Sequence, residues 1–127
     1  METMSNYLKD LEDSRLLFKT FCDGLMYGLF FYHGETLHRV TSIEGLDETV
    51  NGVYPIKECK PCLRSMSSMT EKEKKYYDVF CTEPYMGIDE EMASNFINWL
   101  NTNHFDYRGL IPMGLALVAP EGIYKQD

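Results

Sequence analysis

Two cysteines with two residues between them, Cys59 and Cys62, form the sharpest candidate for chemistry in this sequence. A Cys-x-x-Cys pair at a helix start can hold one thiol at a lowered pKa for disulfide exchange. The same pair could supply half of a structural zinc site, which needs four sulfur or nitrogen ligands. However, the nearest helix-start signal lies at Thr70, and the sequence has no second ligand pair. It therefore favours buried or unreactive thiols without metal or cofactor, with redox and zinc roles for this pair as the alternatives.

No other catalytic pattern occurs in the chain. The sequence contains no Gly-x-Ser-x-Gly nucleophile turn, no phosphate-binding loop and no dinucleotide fingerprint. His104 and Asp106 are close in sequence, but most such pairs are surface or capping groups. The sequence therefore predicts no catalytic residues, and an enzyme is the less favoured class.

Charge is unevenly distributed along the chain, whose formal net charge is −8. This acidic composition argues against duplex nucleic acid, because its binders carry a basic stripe. Segment 51–82 is nevertheless net positive and includes serines near a helix start, where backbone amides could bind an anion. A solvated helix face is the commoner outcome for such a cluster. The candidate interaction residues are Arg64, Ser67, Ser68, Thr70, Lys72, Lys75 and Arg108.

The first half of the chain predicts one helix and then a small sheet. Apolar residues at helical spacing indicate a helix over residues 3–22, which Asp23-Gly24 would end. Aromatic residues in 25–33 and the stretch 36–43 favour a β-hairpin around Gly34-Glu35. Asn51-Gly52 is a second turn signal, since both residues tolerate positive φ, and Val53-Tyr54 after it fits a short strand.

The second half predicts two helices and a closing strand. Residues 55–69, with two prolines, are interpreted as an extended irregular connection. Thr70 and Glu73 fit a capping box that starts a helix over 71–81. Glu83-Pro84 would interrupt the chain. Asp89 is then a candidate cap for a further helix, whose first turn carries Glu90 and Glu91. Residues 114–119 are interpreted as the closing strand.

These elements predict one α+β domain over residues 1–127, with a small antiparallel sheet packed against two or three helices. The length of 127 residues and a hydrophobic content of 44% suit a single globular core. The start of the sequence does not resemble a signal peptide, and the longest apolar stretch, residues 24–32, is too short to span a bilayer. We therefore expect a cytoplasmic protein with no membrane partner. The oligomeric state stays open.

Two segments carry a family resemblance. The first is Leu63-Arg-Ser-Met-Ser-Ser-Met-Thr-Glu-Lys-Glu, and the second joins His104-Phe-Asp-Tyr-Arg-Gly-Leu-Ile to Gly114-Leu-Ala-Leu-Val-Ala-Pro-Glu-Gly-Ile-Tyr. They resemble an uncharacterised family of small proteins encoded by phages, prophages and mobile elements of gut Bacteroidales. Ser65 stands where that pattern often has Pro, and Cys62 where it commonly has an apolar or aromatic residue. The resemblance implies a bacterial cytosol and a host or phage partner, and it implies no activity.

Three function classes follow from these observations. The leading hypothesis is a non-enzymatic binding module that acts on a host or phage protein. The alternative is a small ligand-, nucleotide- or metal-binding protein that uses the 59–70 loop, and an unrecognised enzyme is the third class. A deep pocket joining Arg64, the Ser67–Thr70 helix start and either His104 or Arg108 would favour the second class.

Overall fold

The computed structural model describes residues 2–82 and 90–124, and for residues 2, 3 and 82 it describes the backbone only. These residues form an α+β domain, as the sequence predicts. The helices are α1 (Glu2–Gly24), α2 (Glu71–Thr82) and α3 (Glu90–Thr102). The strands are β1 (Phe30–His33), β2 (Thr36–Arg39), β3 (Ile43–Glu44), β4 (Thr49–Val50), β5 (Tyr54–Pro55), β6 (Cys59–Leu63) and β7 (Leu117–Val118). The predicted interruption at Glu83-Pro84 and the predicted cap at Asp89 lie outside the described residues.

The strands make two sheets, ordered β2-β1-β6-β7 and β3-β4-β5. The predicted hairpin is confirmed over residues 30–39, because β1 and β2 pair antiparallel with His33 opposite Thr36 and Gly34-Glu35 between them. It is shorter than expected, since residues 25–27 form a 3-10 helix and β2 ends at Arg39. The turn at Asn51-Gly52 is confirmed as well, with φ of 57° and 73°. It joins β4 to β5. The predicted closing strand is shorter than expected and runs parallel to β6.

The interpretation of residues 55–69 as an irregular connection is wrong for 59–63. These residues form β6, the strand between β1 and β7. Pro61 is tolerated because neighbouring residues of a strand direct their backbone groups to opposite sides. The Cys62 carbonyl lies on the β1 side, where it accepts the Tyr124 hydroxyl. The Pro61 nitrogen therefore faces the other side, where pairing with β7 begins only at Cys62.

The core lies between the sheets and the second half of α1. Phe21 of the helix and Phe31 of β1 are fully buried, and their rings pack edge to face at 5.5 Å. Removing side chains of this size from water contributes about 1.5–3 kcal/mol each. Leu29, Val50 and Leu110 complete the most deeply buried group of aliphatic side chains. This core fixes the positions of β1 and β6, which carry the residues discussed below.

The first half of α1 contributes nothing to that core. Residues 4–12 are all exposed, a length of about 14 Å at the helical rise of about 1.5 Å per residue. The large apolar side chains in this stretch stand at positions i, i+3, i+4 and i+7. We call them the α1 stripe: Met4, Tyr7, Leu8 and Leu11, which are 65%, 63%, 52% and 40% exposed. Helical geometry places the centre of the stripe about 110° around the α1 axis from Leu17 and Phe21.

Helices α2 and α3 pack on each other through aromatic rings rather than through the main core. Phe80 stacks on Phe96 at a centroid distance of 4.3 Å, and Tyr76 contacts Trp99 at 4.6 Å. Leu100 is the buried residue of α3, and the described part of α2 has none. The α2–α3 pair is therefore a partly exposed unit, which contacts α1 through α3 and is joined to the end of β6 through Glu73.

Candidate functional site

The Cys-x-x-Cys pair lies inside a strand rather than at a helix start. Cys59 and Cys62 are three residues apart in β6, so their side chains project from opposite faces, with α-carbons about 10 Å apart. That separation exceeds the reach of a disulfide, about 7 Å, and two thiols on opposite faces cannot share a zinc ion. Burial raises the pKa of both thiols to about 11, which disfavours the nucleophilic thiolate. The Cys59 thiol donates to the carbonyl oxygen of Pro55 at 3.3 Å.

Arg64, the first of the candidate interaction residues, turns towards the α2 start. Its guanidinium makes two hydrogen bonds to the Glu73 carboxylate, at 2.9 and 2.8 Å. Both side chains are largely buried, at 14% and 12% exposure, and the guanidinium also lies 4.3 Å from the centre of the Phe105 ring. A bidentate, partly stacked pair of this kind fixes geometry as well as charge. Arg64 therefore connects β6, α2 and the segment after α3.

The predicted capping box is confirmed at the same place. The Thr70 hydroxyl accepts the Glu73 amide at 3.2 Å, and the Glu73 carboxylate accepts the Thr70 amide at 2.8 Å. Glu73 thus serves both the cap and the ion pair. Two orphan amides at the start of α2 are satisfied within the chain.

The serines and the lysines among the candidate residues of this stretch have different surroundings. The Ser68 hydroxyl donates to the Ser65 carbonyl at 2.7 Å, and the Ser67 hydroxyl lies 3.0 Å from that of Ser65. Lys72 and Lys75 are exposed on α2. The serines therefore shape the turn before α2, while the lysines face solvent.

Arg108 lies on another part of the molecule. Its guanidinium forms an ion pair with Asp23 and donates to the Thr20 hydroxyl at 3.2 Å. It also lies 4.7 Å from the centre of the Tyr107 ring. Arg108 thus ties the segment after α3 to the end of α1, and the structure does not bring it together with the serines or with Thr70.

His104 occupies a position that sequence reasoning assigned to a surface or capping group. It does cap α3, because the amides of His104 and Phe105 donate to the carbonyls of Asn101 and Leu100 in a Schellman motif. The backbone there has a φ of +60°, where glycine is usual. The side chain, however, is only 8% exposed. Its Nε2 donates to the Tyr27 carbonyl at 2.7 Å, and burial lowers its pKa.

Asp106 is buried as well, at 6% exposure. Its carboxylate accepts the amides of Leu110 and Ile111 at 2.7 and 2.9 Å. Its own amide donates to the Arg64 carbonyl at 2.8 Å, while the Arg64 amide donates to the His104 carbonyl at 2.7 Å. These bonds explain why the segment after α3 is rigidly joined to the end of β6.

Tyr124 bridges two strands, a role that sequence reasoning did not find. Its hydroxyl accepts the Phe30 amide at 2.9 Å and donates to the Cys62 carbonyl at 2.7 Å. These are the positions where the β1–β6 ladder would continue beyond Phe31 and Pro61. The Tyr124 ring stacks on His104 at 3.7 Å. Burial raises the pKa of the hydroxyl, so it stays protonated as the donor.

An open groove with a volume of about 440 Å³ lies beside these residues. We call it the Arg39 groove, bounded by Tyr27, Gly28, Phe30, Arg39, His104 and Tyr124. Arg64 also lines it and continues into a second groove of about 190 Å³, which Ser65 and Ser68 border. Ser67 and Thr70 line neither. The two grooves therefore join Arg64, part of the serine turn and His104, but they form an open surface rather than a deep pocket.

A metal-binding cluster and a membrane-spanning helix are both absent from the described residues. These residues contain no group of three or more His, Cys, Asp or Glu side chains that could hold a metal ion. No helix among them is long and apolar enough to cross a membrane. Comparisons of the chain with protein-family models, with curated proteins and with solved structures gave no match.

Proposed function

We propose that this protein is a non-enzymatic binding module that presents the α1 stripe to an apolar groove of a partner protein. The observation that carries the proposal is the stripe itself, because Met4, Tyr7, Leu8 and Leu11 have the i, i+3, i+4, i+7 spacing of helix-in-groove anchors. All four are at least 40% exposed. They are not needed for the core, which α1 contacts through its second half.

The energetics of α1 support a role outside the fold. A helical segment that buries no side chain obtains no stabilisation from tertiary packing, and short isolated helices are marginal in water. Residues 4–12 depend on continuation from the packed half, around Leu17 and Phe21. A partner groove would bury the stripe, and each fully buried large apolar side chain would contribute about 1.5–3 kcal/mol.

Two acidic side chains that flank the stripe indicate the chemistry of the partner. Asp10 and Glu12 lie on opposite flanks of the stripe by helical geometry, and both are exposed. Carboxylates at the rim of an apolar interface favour a basic rim on the other side. The expected partner is therefore a protein whose apolar groove is bordered by Lys or Arg.

The resemblance to proteins of Bacteroidales phages and mobile elements supports a host or phage protein as this partner. A cytoplasmic location is part of the same proposal. The high pKa of the Cys59 and Cys62 thiols and the internal pairing of Arg64 and Arg108 support a function without catalysis.

The test is affinity capture from a Bacteroidales lysate, followed by titration calorimetry with the purified, recombinant partner. Leu8→Asp should weaken the reconstituted complex by about tenfold or more, because it places a carboxylate at an apolar contact. Leu46→Asp is the matched control, since Leu46 is 94% exposed and lies in the turn between β3 and β4, outside the α1 stripe. Both variants should keep the thermal midpoint of the unchanged protein.

Three outcomes would contradict the proposal. One is equal affinity of the purified partner for Leu8→Asp and the unchanged protein. Another is equal loss of affinity in Leu46→Asp. The third is a homodimer in sedimentation experiments that Leu8→Asp dissociates, because the occupant of the stripe would then be a second copy of this chain.

A further inference from the structure

The Arg39 groove contains a guanidinium in an unusually specific place. A Cβ atom added to Gly28 would lie 3.0 Å from Nη2, 3.3 Å from Nε and 3.4 Å from Cζ of Arg39. The guanidinium therefore lies close to Gly28, in space that a side chain at this position would enter. Gly28 also has a φ of +69°, which glycine adopts without strain. The glycine at this turn leaves room for the Arg39 side chain.

The electrostatics of the groove differ from those of the chain as a whole. The protein has 20 acidic residues, yet no carboxylate of the described residues lines the Arg39 groove. The Arg39 guanidinium has no ion pair and no hydrogen-bond acceptor among the described side chains. Arg64, by contrast, has its charge balanced by Glu73. The exposed Arg39 thus offers a planar fork of donors that the described part of the fold leaves unused.

The rest of the groove has aromatic rings as well as the polar side chains of Thr102 and Asn103, and the rings are held in place. The Phe30 and Tyr124 rings lie 5.8 Å apart, and Tyr124 stacks on His104. His104 is in turn fixed by its hydrogen bond to Tyr27. The volume of about 440 Å³ falls within the range of small-molecule sites, about 300–1,000 Å³. An aromatic surface beside an unpaired arginine suits a ligand with an apolar body and an anionic end.

We propose that the Arg39 groove binds a small organic anion, with its carboxylate or phosphate group paired to Arg39 and its apolar body against Phe30 and Tyr124. This site is separate from the α1 stripe and shares no residue with it. Failure of one proposal therefore leaves the other unaffected.

The experiment is a titration of the ¹⁵N-labelled full chain, followed through its amide and arginine Nε–H resonances. The probes are phenyl phosphate, benzoate, inorganic phosphate and benzyl alcohol. We expect phenyl phosphate or benzoate to shift the resonances of Gly28, Phe30 and Arg39. Response to both anions indicates a general anion site, and response to one alone identifies phosphate or carboxylate as the preferred group. Benzyl alcohol, which has the apolar body without the charge, should bind more weakly.

Substitutions of arginine distinguish binding at Arg39 from a general effect of the protein's charge. Arg39→Gln should weaken binding of the responding probe by about tenfold, because a bidentate charge-assisted contact is lost. Arg39→Lys keeps the charge without the planar fork, so its affinity for the probe should lie between those of Arg39→Gln and the unchanged protein. Arg15→Gln is the matched control, since Arg15 is an exposed arginine of α1, and it should bind as the unchanged protein does.

The proposal is overturned if neither phenyl phosphate nor benzoate shifts the groove resonances. It is equally overturned if benzyl alcohol binds as well as the anions, or if inorganic phosphate binds as well as phenyl phosphate. Equal weakening of probe binding in Arg39→Gln and Arg15→Gln would show that the probe responds only to the net charge of the protein. The fold of each variant is read from the same spectra, and Arg39→Lys supplies the comparison if Arg39→Gln does not fold.

Discussion

The sheet with the second half of α1 and the α2–α3 pair are stabilised in different ways. In the sheet region, apolar side chains such as Phe21, Phe31 and Leu110 are completely removed from solvent. In the α2–α3 pair, aromatic rings pack on one another while much of their surface stays exposed, and Tyr76 is 40% exposed. The ion pair between Arg64 and Glu73 joins the two regions. The comparison shows that apolar burial holds the first region together, while ring stacking and the polar contacts around Arg64 and His104 position the second.

The largest expected effect comes from truncating the same residue type in the two regions. Phe31→Ala should lower the free energy of unfolding by about 3–5 kcal/mol, because it removes a fully buried ring from a close-packed core. Phe96→Ala, at the centre of the α2–α3 rings but only half-buried, should cost about 1–2 kcal/mol. Urea denaturation followed by circular dichroism measures both values. Equal losses in the two variants would remove the distinction between the regions.

Breaking the ion pair between Arg64 and Glu73 should give the next largest effect on the free energy of unfolding. Arg64→Met keeps much of the side-chain volume but leaves the Glu73 carboxylate, which is 12% exposed, without its guanidinium. We expect a loss of about 2–3 kcal/mol in the free energy of unfolding, together with faster hydrogen exchange at the start of α2. Arg15→Met is the control on an exposed arginine. If Arg64→Met unfolds at the same urea concentration as the control, the ion pair does not join the regions energetically.

The smallest effect is a pH dependence that His104 imposes on the sheet region. Burial lowers the pKa of His104 in the folded protein below its ordinary value of about 6.5. The unfolded chain therefore binds the proton first as the pH falls, so this contribution to stability is complete above about pH 6.5 and decreases below it. His104→Asn, which tolerates the positive φ, should make the decrease between pH 7 and pH 5 shallower. Urea midpoints across that range test this, and an unchanged slope would contradict it.

The features that the sequence predicts correctly are those whose contacts are local. The capping box joins Thr70 to Glu73, and the turn at Asn51-Gly52 needs only positive φ at two adjacent residues. The end of α1 and the β1–β2 hairpin are of the same kind. Each depends on residues a few positions apart, so propensity and spacing are sufficient to find it.

The features that the sequence does not reveal depend on distant contacts. From the sequence alone, residues 59–63 look like an irregular connection because they contain Pro61. A proline fits a strand only where its nitrogen faces a side without a hydrogen-bonding partner, and the sequence does not show that side. Tyr124 contacts Phe30 across 94 positions, and His104 contacts Tyr27 across 77. Among the candidate residues, Arg64 and Arg108 form ion pairs with Glu73 and Asp23 inside the fold. Nothing in their spacing along the sequence predicts these pairs. The α1 stripe is visible as helical spacing, but its exposure depends on where the sheet lies.

The hydroxyl of Tyr124 has a consequence for the order in which the molecule assembles. The β1–β2 hairpin connects residues close in sequence and needs no residue beyond Arg39 for its pairing. The junction between β1 and β6 at Phe30 and Cys62 lacks its bridging group until residue 124 has followed, and closing so long a loop is a slow, late event in folding. Until then the Phe30 amide and the Cys62 carbonyl must bond water or each other. The nascent sheet should therefore lack its native bridge at this point while most of the chain is already present.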